Sequence, residues 1–228
     1  SEDSLSKAQA KLKEEYKRRV LDFINEHPNS FFSLYLFNKH LDRFDFKEND
    51  TDILLSVFYM FSDSLQNTET GKAIHLQLLK RKSLLIGNVM PDFHFTDLSS
   101  QSYTLSAWRN KKYVLLCFWA SWCGPCIRSI PLIRSIAQLY REKDLQIIYI
   151  SIDKEQDEWL QAVNQWNPPG LQVCDLSPYL SESQKLRNLY NIRYIPQYFL
   201  IDKEGKLIYQ VTQMNDDKTE EYNVLQEV

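Results

Sequence analysis

The sequence predicts an α/β fold: a sheet covered by helices on both faces, preceded by a small all-α domain. Two observations carry it. Residues 1–86 contain no strand-like alternation and read as helices, and from Gly87 onward apolar strand-like runs alternate with amphipathic segments. A third locates the chemistry. One Cys-x-x-Cys pair, Cys123 and Cys126, lies between the strand-like run Tyr113–Trp119 and the helix-like run Ile127–Tyr140.

The elements follow in order. Leu12, Tyr16, Val20, Phe23 and Ile24 recur at helical spacing, and His27-Pro28-Asn29-Ser30 ends that helix and offers a cap to the next. Phe31, Leu34, Tyr35, Phe37 and Leu41 form a second helix, and after a polar gap at Asp45–Thr51 a third runs through Leu54, Val57, Phe58, Phe61 and Leu65. Asn67–Gly71 reads as a break before a fourth, basic helix that passes Ile74, Leu78 and Leu79 to about Leu85. Gly87-Asn88 marks the boundary, giving domains 1–86 and 87–228. Phe93, Phe95 and Tyr103-Thr104-Leu105 flank polar Asp97–Gln101 as a hairpin, in which His94 reads as a packed histidine. After the central strand and helix come a strand at Leu145–Ile152 and a helix at Asp157–Trp166 stopped by Pro168-Pro169-Gly170. Then follow a short strand at Leu171–Cys174, a helix at Ser181–Tyr190, strands at Gln197–Ile201 and Lys206–Val211, and a terminal helix from about Lys218. The acids Asp153, Glu155, Asp157 and Glu158 suit a helix start and receive no other role.

The first turn of a helix has free backbone N–H groups and the positive end of the dipole, and both favour a thiolate at Cys123. Pro125 is tolerated there because a first-turn residue needs no N–H. The two-residue spacer lets Cys126 close a small ring with Cys123, so Cys123 is expected to be the exposed attacking thiol and Cys126 the buried resolving thiol. A structural zinc pair is the rival reading. Zinc wants four ligands, but Cys117 and Cys174 make no second pair and the four His are scattered.

Trp122-Cys123-Gly124-Pro125-Cys126 at a strand-to-helix junction resembles the thioredoxin superfamily. Pro131, five residues after Cys126, stands where that family carries a helix-kinking proline, and Ile195-Pro196 before a strand resembles its cis-proline loop. The run Gly87–Phe95, with Pro91-Asp92-Phe93, is similar to the entry of the extracytoplasmic TlpA/ResA-like branch, which is related to AhpC/TSA domains. The resemblance covers about Gly87 to Val228. It implies a thioredoxin-like central mixed sheet and a cis bond at Pro196. It also implies a substrate-facing surface of Trp122, Gly124, Pro125, Ile195 and Pro196, in which the Ile195 backbone pairs with an extended substrate segment. Trp119, Cys117 and Pro131 are supporting residues on this reading. The chain departs from the family at two positions. Thioredoxin has a buried carboxylate where this chain has Cys117, and TlpA/ResA-like relatives often have Glu where it has Ser129. Cys117 reads as a small apolar filler, or as a third thiol near Cys126. Proton transfer at Cys126 is then expected to lean on water, a distant acid or the substrate, and mixed disulfides to be released slowly near neutral pH. Cys174 reads as a lone, partly buried thiol, with a second redox station as the sharper alternative.

The composition agrees. The 228 residues, 43% hydrophobic with net charge −3, make one large domain or two modest ones and give no reason to expect a nucleic-acid partner. No apolar run approaches the roughly 18 residues that span a bilayer. Four cysteines are too few for a disulfide framework. The function expected is a thiol–disulfide oxidoreductase, in the direction of a reductase, acting on disulfide-containing proteins with no cofactor beyond the redox-active Cys123–Cys126 disulfide and no metal. The branch implies an extracytoplasmic or periplasmic protein that is re-reduced by a membrane electron donor, with any signal or anchor lying outside this chain. Two alternatives are an AhpC/TSA-type thiol peroxidase and a module whose helical domain recruits a partner while the dithiol acts as a redox switch.

Overall fold

A computed structural model describes residues 2–41, 51–140, 144–175 and 185–211. The chain divides into two compact units, Ser1–Lys82 and Ser83–Val228. The expected boundary at residue 86 lies four residues further on. Leu84 is buried in the second unit's core, the Gly87 N–H donates to the Leu207 carbonyl, and the Leu207 N–H donates to the Asn88 carbonyl. The segment before Gly87-Asn88 is thus stitched to the last described strand.

The first unit contains α1 (Glu2–Glu26), α2 (Phe31–His40), α3 (Thr51–Tyr59), α4 (Asp63–Gln66) and α5 (Glu69–Ser83). Ile24, Leu34, Phe37, Leu54, Phe58 and Leu78 are among its buried core. Ser30 caps α2, its side chain accepting from the Phe32 N–H. Two expectations are corrected. The third helix is two, because the chain turns at Met60–Ser62, where Ser62 is extended and the Gln66 side chain bonds the Phe61 carbonyl. Gly71 is not a breaker. It lies inside α5, its N–H donates to the Thr68 hydroxyl, and an added Cβ would collide with the Leu65 and Gln66 carbonyls.

The second unit opens with an antiparallel hairpin, β1 (His94–Thr96) and β2 (Ser102–Thr104), as expected, but His94 is exposed and not packed, because Phe93 and Phe95 take the inward positions. A 3-10 turn at Leu105–Trp108 leads to β3 (Tyr113–Trp119), α6 (Gly124–Leu139), β4 (Leu145–Ser151), α7 (Gln156–Trp166) and β5 (Leu171–Cys174). Then come α8 (Leu186–Leu189), β6 (Gln197–Ile201) and β7 (Leu207–Val211). The main sheet has the order β5-β4-β3-β6-β7, with β3, β4 and β5 parallel and β6 and β7 antiparallel to their neighbours. It is the mixed sheet that the resemblance implies. Cys174 therefore ends a regular edge strand. Residues 181–184 and the terminal helix expected from Lys218 lie outside the described residues.

β3 is central and buried on both faces, which is why it reads as a continuous apolar run. Leu115, Cys117 and Trp119 share a core with Ile130 and Ile133 of α6 and Trp159 of α7. Val114, Leu116 and Phe118 face the other way, into a core with Phe93, Trp108 and Tyr190. The Ile147–Leu171 region allows one tight approach. At Gly170, φ is 89° and an added Cβ would strike the Ile147 carbonyl, whereas at Gly87, φ is 91° with nothing within 4 Å. Gly170→Ala is expected to destabilise the protein by about 3 kcal/mol and Gly87→Ala by about 1 kcal/mol, as measured by urea unfolding of the two variants.

Candidate active site

β3 ends at Trp119, and the chain needs four residues to turn into α6. Cys123 is the N-cap of that helix. It has extended dihedrals (φ −85°, ψ 92°), and its Sγ accepts from the Cys126 N–H at 3.2 Å. A sulfur thus takes the place of the oxygen that Ser or Asp would offer one of the helix's orphan donors. Pro125 falls in the first turn, where no donor is lost. Cys123 and Cys126 are joined as a disulfide, with an S–S distance of 2.06 Å. Their sulfurs are bonded to each other, and no cluster of three or more metal-ligating side chains occurs among the described residues.

Cys126 is the deeper of the two, at 1% exposure against 4% for Cys123. The relative order matches expectation, but Cys123 is not exposed in the disulfide form. Trp122 beside it is 65% exposed instead. Trp119 is buried against Tyr149, with ring centroids 5.9 Å apart in an edge-on arrangement. Pro131 lies inside α6. The Ile195–Pro196 peptide bond is cis. β6 pairs with β3 through Phe118↔Gln197, so the Ile195–Pro196 segment leaves the sheet beside the loop that carries the dithiol. Tyr194, 76% exposed, is the most exposed large apolar side chain among the described residues and stands one residue before Ile195.

Three groups near the dithiol have surroundings that sequence reasoning did not give them. Asp153, read there as an ordinary helix-start acid, is 2% exposed. It follows β4, and its carboxylate accepts from the Ser121 N–H at 2.9 Å, from the Ser121 hydroxyl at 2.7 Å and from the Ser151 hydroxyl at 2.5 Å. Ser121 is two residues before Cys123, so the carboxylate clamps the loop that carries the Cys123 sulfur. The available signal was Ser-x-Asp at the end of a buried strand, which a single sequence does not separate from a helix cap. The others are Ser129 and Tyr198, whose hydroxyls lie 2.5 Å apart in the core shared with the dithiol.

Cys117 is a free, fully buried thiol between Tyr149 and Tyr198 in the sheet register, and burial pushes its thiol pKa well up. It belongs to the same cluster as Cys126. Cys174 is likewise outside the disulfide. It is half-buried and lines an open cleft of about 640 Å³ with His94, Tyr103 and Trp159.

A family profile described as Redoxin matches residues 85–226. The thiol-disulfide oxidoreductase ResA of Bacillus anthracis is 31% identical over 131 residues, which is 58% of this chain and 72% of that protein. ResA of Geobacillus kaustophilus is 28% identical over 138 residues, 60% of this chain and 75% of that protein. Among solved structures, the thioredoxin domain of a thiol-disulfide oxidoreductase from Bacteroides vulgatus superposes with TM-score 0.54 at 25% identity, covering 63% of this chain and 96% of that one. A thiol:disulfide interchange protein from Bacteroides sp. gives TM-score 0.52 at 26% identity, covering 64% and 90%.

Asp153→Ala leaves one buried and two part-buried donors without their acceptor and is expected to cost about 3 kcal/mol in urea unfolding, with Asp153→Asn costing less. In the oxidised protein iodoacetamide is expected to label Cys174 and to spare Cys117 until denaturant is added, as read by mass spectrometry of the intact chain.

Proposed function

The chain belongs to the Redoxin family, as a thiol–disulfide oxidoreductase of the TlpA/ResA-like branch of the thioredoxin superfamily, and from that premise we propose that it reduces protein disulfides through the Cys123–Cys126 dithiol. The observation that carries this reading is the joined sulfur pair at a helix start, with Cys123 capping the helix and Cys126 buried behind it.

In the reduced protein the Cys123 thiolate, favoured by the first-turn N–H groups and the helix dipole, attacks one sulfur of a substrate disulfide. A Cys123–substrate bond forms, and the other substrate sulfur leaves as a thiolate and takes a proton. Cys126 loses its proton and attacks the Cys123 sulfur. That closes the protein disulfide and frees the second substrate thiol. Two electrons pass from the dithiol to the substrate, and the protein's own cysteines are the redox centre. An extended segment of the substrate lies along Ile195 and Pro196, with Trp122, Gly124 and Pro125 beside it. Among the described residues no backbone hydrogen bond engages Ile195, which leaves its groups to pair with such a segment.

The Gly-Pro spacer is that of thioredoxin, which is strongly reducing at about −270 mV, and it favours the reductase direction. The compartment we infer is extracytoplasmic, with a membrane electron donor restoring the dithiol. No helix among the described residues is long and apolar enough to cross a membrane. Cys126→Ser is expected to hold protein substrates covalently at Cys123, in adducts that dithiothreitol releases, and Cys123→Ser is expected to hold none. Equal trapping by the two variants overturns the assignment of roles. Hydrogen peroxide consumption that exceeds disulfide reduction in the wild-type chain overturns the reductase in favour of the peroxidase.

A further inference from the structure

Resolution requires the Cys126 thiol to lose its proton, yet Cys126 is 1% exposed in the disulfide form. The two positions where a carboxylate would assist carry Cys117 and Ser129. The core supplies a different group. Ser129 lies almost one turn after Cys126 on α6, and its hydroxyl is 2.7 Å from the Cys126 carbonyl and 2.5 Å from the Tyr198 hydroxyl. Tyr198 stands on β6 two residues after Pro196 and pairs with Cys117 across the sheet. Ser129 has one proton to give. If it goes to the Cys126 carbonyl, the serine oxygen accepts from the Tyr198 O–H. Two hydroxyls bonded to each other in an otherwise apolar core are costly to desolvate, where Ala and Phe would pack without that cost.

The surroundings narrow what the pair can do. Facing it are Cys117 of β3 and Tyr149 of β4, with Arg134 of α6 as the nearest group of opposite charge to Tyr149. Burial, and then the neighbouring Cys117, raises the Tyr198 pKa, so the phenol stays protonated and acts as a donor. The neighbouring thiol is likewise held neutral by burial. The groups assembled beneath the resolving sulfur are therefore neutral donors, and no carboxylate is among them.

We propose that the Ser129–Tyr198 hydroxyl pair is the device that makes Cys126 a competent resolving thiol, one hydroxyl rotating to donate to its sulfur once the disulfide opens. The Cys126 S–H bond breaks with its electron pair left on sulfur and its proton passing to solvent water that reaches the opened site, and the donated hydrogen bond holds the charge on the sulfur. The sulfur then attacks Cys123, the bond from Cys123 to the substrate breaks, and the departing substrate sulfur carries away the electron pair and takes up a proton. The pair is a positioning device. It neither gains nor loses a proton over the cycle, and it acts on the second step and not on the first. This inference rests on the dithiol reading above.

The test uses the full reduced chain in a Cys174→Ser background, mixed with one equivalent of 5,5′-dithiobis(2-nitrobenzoate). Attack by Cys123 releases the first coloured thiolate, and attack by Cys126 on the resulting mixed disulfide releases the second in a concentration-independent phase. That leaving group departs as an anion, so the pH profile of the second phase reports Cys126. Tyr198→Phe and Ser129→Ala are expected to leave the first phase within about twofold. They are expected to slow the second about tenfold at pH 7 and to move its pH midpoint up by about one unit. Ser129→Thr, which keeps the oxygen, is expected to restore it. An unchanged second phase in both variants, or a first phase slowed equally, overturns the proposal. If Tyr198→Phe does not fold, the Ser129→Ala and Ser129→Thr pair decides. A wild-type chain with no concentration-independent second phase instead overturns the dithiol reading, and the inference with it.

Discussion

The start of α6 is where the constraints on this molecule meet. Cys123 occupies the cap position, Cys126 donates its backbone N–H to the Cys123 sulfur, and the same two residues are joined through their side chains. That geometry requires the chain to leave β3 at one point and enter the helix at another, four residues later. It is fixed from three directions. β3 is hydrogen-bonded on both sides, by β4 and β6, so its end does not wander. The Asp153 carboxylate, at the end of β4, grips Ser121 by both backbone and hydroxyl. The core beneath, with Ile130 and Ile133 at its centre, seats the helix on the sheet. Each would hold its own segment alone. Together they leave the loop one conformation, in which a helix dipole points at a sulfur.

Burial sets the character of the site. In the disulfide form neither sulfur is open to water, and the exposed apolar surface nearby is Trp122 and Tyr194. Water exclusion disfavours an uncompensated thiolate and at the same time strengthens the helix-start dipole that offsets that cost. It also makes each polar group in the core beneath the dithiol an expense that needs a partner. Ser129 and Tyr198 find one in each other, whereas the Trp119 and Trp159 indole N–H groups and the Tyr149 hydroxyl have none among the described residues. This core thus holds one bonded hydroxyl pair and, among the described residues, three unpartnered side-chain donors.

The helical unit follows a different logic. Its core is ordinary amphipathic packing, with Phe58 and Phe61 meeting edge to face and Gly71 admitting the α4–α5 turn at close quarters. The places where sequence reasoning misjudged it are instructive. Phe61 and Leu65 sit at helical spacing from Phe58, but the intervening turn at Met60–Ser62 brings both into the core without one continuous helix. Periodicity fixes which side chains go inward. It does not reveal whether the backbone between them is helical throughout.

The chain itself determined the fold class, the strand that delivers the dithiol, the helix that receives it and the sequence position of the proline before β6, because these follow from local apolar runs, turn chemistry and a short motif whose residues lie within one turn of each other. His94 shows the limit of such reading: alternation places it on a strand but not on which face, and its neighbours Phe93 and Phe95 took the inside. What the tertiary structure alone decided is the set of groups brought to the sulfurs from far along the chain. Asp153 is 32 residues from Ser121, and Tyr198 is 69 from Ser129. Each pair is joined by sheet order and strand register, and a shift of one residue in that register would turn every side chain to the opposite face.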